Sequence, residues 1–526
     1  MKSLKKYPLD LIAILIIAIT LRVINLGYSD YQGDEIKALY LPTNGQNLGS
    51  FLMDQRKGPV QFVISYLVKF INPSYDNQFL SRIVFSIAGI LAVYFFFLLI
   101  KLHFGRRMAF YSAFFLATNG FFVAFSRIVQ YQSLVILFMI LTLYLYSLAV
   151  INEKYRTVGI LLGTLFWSLG ILSHYDAIFI LPFAGLLILK WFNNSKLQKR
   201  KKFITMAICV VMALSITGAF YVPFISNLSE DTASYWQGRI TGSVSSYKIS
   251  SSLYLFTVYQ PIYVIHLYKV ILALGVILAL LSFLSRFRKI RRGAEKLRIL
   301  LVDNQYPLIG ITVWLLIGVV FMEAYVSVPG THIYVYLLPM MVYLGLGIYF
   351  FENVFTTLIK GSFGKVLFFT GTFVVFAFIY AQSFCIYVDH TTEYPWSEKK
   401  FLLWMMPKAN ATYHISIFGF PYNRDWEGIR DFLKSIKNPP VQGYSSNERD
   451  SITRYYLNYP KSADLAGPFV YIKSPQTFTD AIYGEKQEYW LPKYAPVFTL
   501  SKNGEEIVRI YIMPQGNLRE IRAKGY

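Results

Sequence analysis

Cysteine is nearly absent from the chain. Its two residues, Cys209 and Cys385, both lie in strongly apolar stretches, so neither a disulfide framework nor a cysteine metal site follows. Charge is sparse at 15%, and acidic side chains are the sparser kind, 29 Asp and Glu against 51 Lys and Arg. No glycine-rich phosphate loop occurs, which argues against nucleotide hydrolysis. Neither HExxH nor paired CxxC spacing gives positive support for a metal. Matching halves with broken helices, the mark of many transporters, are missing, as are low-complexity tracts. The lysine-led apolar N-terminus lacks a small-residue cleavage site before Tyr28, so it reads as a retained span rather than a signal peptide.

What fills the chain is apolar: 55% hydrophobic and 18% aromatic over 526 residues, too much for a soluble protein of this length. A span takes ~20 largely apolar residues. Segments near 8–27, 79–100, 108–126, 133–151, 157–173, 177–192, 203–225, 261–285, 306–322, 333–351 and 366–387 predict a polytopic α-helical membrane protein with about 11 transmembrane helices.

The net charge of +22 is explained by where it falls. Basic clusters at Lys2/Lys5/Lys6, Lys101–Arg107, Lys196–Lys202 and Arg286–Arg298 alternate with loops carrying Asp34, Glu35, Asp54, Asp176, Glu230, Asp231 and Glu323. The positive-inside rule makes the first set cytoplasmic, and no nucleic-acid partner is needed. The topology is consistent if residues 59–71 do not cross. They are too few to span, and Gln61, Ser65 and Lys69 recur every four positions on one helical face, so the segment belongs at the interface.

Residues 1–387 then form a transmembrane domain in the plasma membrane with a cytoplasmic N-terminus. Its first external loop, 28–78, holds two interfacial helices, near Glu35–Leu41 and at 59–71. The external loop 226–260, rich in Ser, Tyr and Trp, is a candidate lid or acceptor contact.

Residues 388–526 read as a soluble extracytoplasmic α/β domain. Strands are expected at Tyr413–Phe420, Val441–Tyr444 and Pro468–Ile472, helices at Asp425–Lys437 and Glu448–Leu457, and a hairpin at Ala495–Ser501 and Glu506–Met513 around Asn503-Gly504.

Chemistry concentrates in the external turns. Asp34 and Glu35 emerge beside the lipid right after the first span. One reading makes Asp34 the N-cap of a helix starting at Glu35; the other makes it a general base for an acceptor hydroxyl. Arg56 and Lys57 open the second surface helix, either snorkelling to headgroups or meeting the phosphate of a lipid-linked donor, where charge builds in the transition state. Arg127, Gln130 and Gln132 sit at a later boundary, where polar groups tend to face a cavity. His174, Tyr175 and Asp176 occupy the next external turn, and His332 a further one, as an interface histidine or a phosphate ligand. Phe420–Trp426 offers aromatic and polar groups for a sugar, or an ordinary helix start.

In this order the motifs resemble glycosyltransferase family 39, the protein O-mannosyltransferase and aminoarabinose transferase type of polytopic membrane glycosyltransferases with the C-type fold. The resemblance covers roughly residues 8–350. "GDEIKALY" is similar to the acidic pair opening that family's first external loop, and "DQRKGPVQF" to its basic, proline-containing entry to the second surface helix. The stretch "SRIVFSIAGILAVYFFFLLIKLHFGRRMAFYSAFFLATNGFFVAFSRIVQYQSLV" is similar to the next two spans, with Arg82 at the family's arginine position.

The resemblance implies that Asp34 deprotonates the acceptor, with Glu35 as its acidic neighbour, and that Lys57 helps bind the donor phosphate. It also implies an inverting displacement from a polyprenyl-phosphate sugar, with no nucleotide sugar or required metal. Gln132 departs from the acidic residue many members carry.

Acceptor glycan, lipid or protein stays open, the expected approach being between the first loop and the soluble domain. A flippase of lipid-linked sugars and a non-catalytic scaffold are the competing classes. The oligosaccharyltransferases share the architecture, but no Trp-Trp-Asp motif is present.

Overall fold

The computed structural model describes residues 9–241, 269–277, 304–327, 330–359, 361–393, 400–401, 404–405, 419–436, 443–462, 467–476 and 491–514. Among them seven helices are long and apolar enough to cross a membrane: Gln78–Phe104, Gln132–Ile151, Tyr175–Asn194, Lys199–Ser226, Gln305–Tyr325, Gly330–Thr356 and Ser362–Tyr387. Arg106–Thr118 and Gly120–Ser126 qualify as a pair bent by 60°. Leu9–Val23 and Val158–Ser173 are shorter helices at two further expected positions. Of the expected span 261–285 only residues 269–277 are described, as helix.

Polar side chains fix the bend. Asn119 has extended backbone and its side chain accepts from the Phe121 N–H, ending one helix and capping the next. The break orphans carbonyls at the end of Arg106–Thr118, and the buried Arg22 guanidinium supplies donors to Ala117 O at 2.9 Å and Leu116 O at 3.3 Å. Ser86 Oγ donates to Arg22 O or Ser126 O, each 2.8 Å away. Gly89 permits this contact, because a Cβ there would lie 2.1 Å from Ser126 Oγ.

The two ends of the bundle differ. Arg106 pairs with Asp10 and Arg107 with Glu352, which also accepts from Tyr111 at 3.0 Å. The basic turn therefore sits at the end where the first helix starts. The opposite end gathers the first loop with the turns at 127–131, 174–176 and 330–333.

That first loop differs from expectation in detail. Its helices are a single turn at Gly33–Ile36, a short helix at Leu48–Met53 and Val60–Val68. Nine residues at 1.5 Å rise make the last about 14 Å long, short of a bilayer core. Its polar face turns to the protein: Gln61 and Ser65 are buried, with Ser65 Oγ donating to Ala38 O at 2.8 Å, while Leu67, Phe70 and Ile71 are exposed.

In the C-terminal region a four-stranded sheet runs in the order Ser445–Ser446, Gly467–Ile472, Glu505–Met513, Phe498–Lys502, the first pair parallel and the others antiparallel. The expected hairpin turn is present, Asn503 and Gly504 both having positive φ, 51° and 81°, as a type I′ turn requires. Helices Trp426–Ser435 and Asp450–Leu457 accompany the sheet. Residues 413–418 and 441–442 of the expected strands lie outside the described residues.

This region clasps the first loop. Asp30 N–H donates to Tyr422 O at 2.9 Å, Arg424 N–H to Asp30 Oδ2 at 2.8 Å and Ser29 Oγ to Phe420 O at 2.9 Å. Arg424 also pairs with Glu393 at 2.6 Å. An acceptor route between the two bodies is closed along residues 28–31, since backbone groups there bond across the seam.

Burial pushes the Asp30 carboxyl up to about 7, against the Arg424 N–H bond that pulls it down. Between the ordinary Asp value and about 7 the folded protein holds the extra proton, so stability falls as pH rises through that window. Asp30→Asn keeps an acceptor for Arg424 N–H and removes the titration. Melting temperatures measured from pH 4 to 8 should fall through this window in the wild type and lack that fall in the variant.

Candidate functional site

The turn Gly33–Ile36 is closed by a capping box. Gln32 Oε1 accepts from Asp34 N–H at 2.8 Å, and Glu35 Oε2 accepts from Gln32 N–H at 3.1 Å. The cap is thus Gln32, which corrects the expectation that Asp34 caps a helix beginning at Glu35. Asp34 is spared that task, and its side chain is 44% exposed.

Successive helical residues point about 100° apart, so the two carboxylates diverge. Glu35 turns inward to a bidentate pair with Arg82, both N···O distances 2.8 Å, and also accepts Val129 N–H at 2.9 Å. Arg82 spends its remaining donors on Leu26 O, Ser29 O and Asp30 O at 2.9–3.0 Å. All five N–H groups of the fork are used, and both Glu35 oxygens accept twice.

Asp34 faces a cavity of about 1300 Å³. Across from it, Lys57 Nζ donates to Gln130 Oε1 at 3.0 Å, and Gln130 Nε2 donates to Asp34 O at 2.6 Å. The Lys57 loop is seated by Gly58, whose absent Cβ would meet Leu172 O at 2.0 Å. Lys57 lies over the Tyr131 ring, 5.0 Å from its centroid, and that ring stacks on His174 at 4.3 Å. Asp176 joins the next turn: Oδ2 is 2.7 Å from His332 Nδ1 and accepts from Tyr334 OH at 2.6 Å.

The cavity has two characters. Its polar part holds Asp34, Arg56, Lys57, Gln130, Gln132, His174, Tyr175, Asp176 and His332. Its apolar part is walled by Ile178, Phe179 and Leu181 on one side and Ile317, Phe321 and Met322 on the other. Ile178, Leu181, Ile317 and Phe321 are each more than 40% exposed, so helices Tyr175–Asn194 and Gln305–Tyr325 leave accessible apolar side chains along this part.

Nine expected site residues therefore share one lining, drawn from four loops. Glu35, Arg82 and Arg127 are not among the lining residues. The first two hold each other, and Arg127 donates to Leu21 O, Ile24 O and Asn25 O at 2.9–3.2 Å, capping the first helix. Both arginines are expected from the sequence at the donor phosphate, and both are bonded within the protein, Arg82 to Glu35 and three backbone carbonyls and Arg127 to three backbone carbonyls. The loop expected as a lid contributes Tyr235 and Trp236 from helix Glu230–Thr241, with Arg56 4.7 Å from the Tyr235 ring centroid. An apolar groove between spans is expected for a lipid tail, but not which helices wall it, and Tyr334 belongs to the same expected turn as His332, its contact with Asp176 being the unforeseen part.

Residues 57–217, less than a third of the chain, match the family model described as dolichyl-phosphate-mannose-protein mannosyltransferase. The fold is similar to ArnT from Cupriavidus metallidurans bound to undecaprenyl phosphate, at 11% identity over 95% of this chain and 96% of that one, TM-score 0.49. It is also similar to the Archaeoglobus fulgidus oligosaccharyltransferase tethered with an acceptor peptide containing the NVT sequon, at 12% identity over 87% and 64%, TM-score 0.46. A third similarity is to AglB of that organism with an inhibitory peptide and a dolichol-phosphate, at 12% identity over 97% and 74%, TM-score 0.45. No curated protein matches the chain. Lys57, Gln130, Gln132 and the 174–176 turn fall within the segment similar to the dolichyl-phosphate-mannose-protein mannosyltransferases, while Asp34, Arg56 and His332 lie outside it.

Proposed function

We propose that the protein is a membrane glycosyltransferase that moves a hexosyl or pentosyl unit from a polyprenyl-phosphate sugar to an acceptor glycan, lipid or protein on the extracytoplasmic face. The carrying observation is the two-part cavity: Asp34 and Lys57 face its polar part, and its apolar part is walled by side chains of two apolar helices. A lipid-phosphate sugar has the same two parts.

In this reading the prenyl tail lies between Tyr175–Asn194 and Gln305–Tyr325, with the phosphate at Lys57. Binding energy from the remote tail orients the anomeric carbon. Asp34 takes the acceptor hydroxyl proton, the acceptor oxygen forms its bond to the anomeric carbon from the face opposite the phosphate, and the carbon–oxygen bond to phosphate breaks. The configuration inverts and polyprenyl phosphate leaves. Lys57, and Arg56 beside it, offset the charge that grows on the phosphate oxygens.

The test is transfer in nanodiscs with a panel of polyprenyl-phosphate sugars and membrane extract as acceptor. Consumption of a donor with a labelled product supports the reading. Labelled lipid crossing proteoliposome membranes with no donor consumed overturns it in favour of a flippase. Lys57→Ala should raise the donor KM by roughly 10- to 100-fold, the worth of a hydrogen bond to a charged group; an unchanged KM removes Lys57 from the phosphate site.

A further inference from the structure

We propose that His174, Asp176 and His332 form a binding site for one divalent metal ion of the zinc class, on the polar wall of the cavity. The sequence spacing hides it, because the ligands come from two turns 156 residues apart. Folding brings one donor atom of each to within 4.8 Å of the others. His174 Nδ1 is 3.2 Å from Asp176 Oδ1, and His332 Nδ1 is 2.7 Å from Asp176 Oδ2. Two imidazoles and a carboxylate make a common zinc donor set, with metal distances of about 2.1 Å and hence about 3.4 Å between ligand atoms in a tetrahedral shell. These two spacings, one to each oxygen of Asp176, need to open by less than about 1 Å, and all the ligand atoms already lie within 4.8 Å of one another.

Two features distinguish this cluster from a merely hydrogen-bonded one. The Asp176 N–H donates to His174 Nδ1 at 3.3 Å, which uses Nδ1 as an acceptor and so leaves it without a proton. That nitrogen lies 3.2 Å from Asp176 Oδ1, and a cation between the two would be bound by both. Independently, Gln132, 3% exposed, lines the same cavity with Oε1 buried and unpartnered among the described residues, an oxygen suited to a metal-bound water.

The surroundings hold the ligands still. The Tyr334 hydroxyl donates to Asp176 Oδ2 at 2.6 Å and Tyr131 stacks on His174, the kind of outer support that orients metal ligands. A three-residue set leaves one tetrahedral position, which suits water or a phosphate oxygen. A part in holding the donor phosphate rests on the transferase reading; metal binding does not.

The experiment uses the full chain in detergent, stripped with chelator and then equilibrated with zinc or cobalt alone. Wild type should retain one ion per chain by elemental analysis, show the visible bands of tetrahedral cobalt, and melt higher with the ion than without. His332→Gln keeps an amide donor for Asp176, so the metal-free melting temperature should stay put while affinity drops at least tenfold. His174→Gln should do the same. Wild type that retains no more ion than His332→Gln, or cobalt bands that survive both substitutions, overturns the site. If the ion binds and no donor is consumed, the transferase reading falls and the metal site stands.

Discussion

Replacing Asp34 by Asn lowers sugar transfer by about 10²- to 10⁴-fold, the usual weight of a positioned base, and leaves the protein folded. The structure separates these outcomes. The turn that carries Asp34 is capped by Gln32 and anchored by Glu35, and Gln130 holds the Asp34 carbonyl rather than its carboxylate. The carboxylate's ion pair is with Lys37 at 3.9 Å, both side chains about half exposed, and such a pair contributes little to stability. Asn has nearly the same shape and lacks the basicity, so kcat falls while the donor KM and the melting temperature stay within error. Measured on purified enzyme in nanodiscs, undiminished transfer by Asp34→Asn would leave the acidic residue without a catalytic part and favour the scaffold.

The helices and their order were legible because each depends on local composition: long apolar runs with charges confined to their ends. The nearness of Asp34, Lys57, Gln130 and His174 was foreseeable to the extent that all sit at the same end of alternate helices. Which of the two adjacent carboxylates would face the cavity follows only from the family resemblance, not from composition or spacing. That choice depends on a capping box at Gln32 and Glu35 and on Arg82, 47 residues away, neither of which leaves a distinctive spacing. The seam with the C-terminal region was equally hidden, since most of its bonds involve backbone groups and the partners Asp30 and Arg424 are 394 residues apart. A first loop held on one side by the bundle and on the other by the C-terminal region keeps Asp34 in place, although among the described residues that region does not itself line the cavity.

Glu35→Ala is expected to destabilise the protein by about 3–5 kcal/mol, the cost of stripping one partner from a buried ion pair. The Glu35 and Arg82 side chains are 1% and 2% exposed. Removal strands the guanidinium and leaves the Gln32 and Val129 N–H groups without their acceptor, each an added penalty. Activity would vanish too, so activity alone cannot tell a structural carboxylate from a catalytic one. A double-mutant cycle can. If Glu35 acts by holding the turn, Arg82→Met in the Glu35→Gln background removes the stranded charge and recovers part of the lost melting temperature, giving a large positive coupling. Transfer should recover with it, because Asp34 regains its position. A pair variant that melts near wild type yet transfers nothing would instead give Glu35 a direct part in the chemistry. The geometry favours the first outcome, since every lone pair of Glu35 is already engaged with Arg82, Gln32 or Val129, leaving none directed at the cavity where the acceptor must lie.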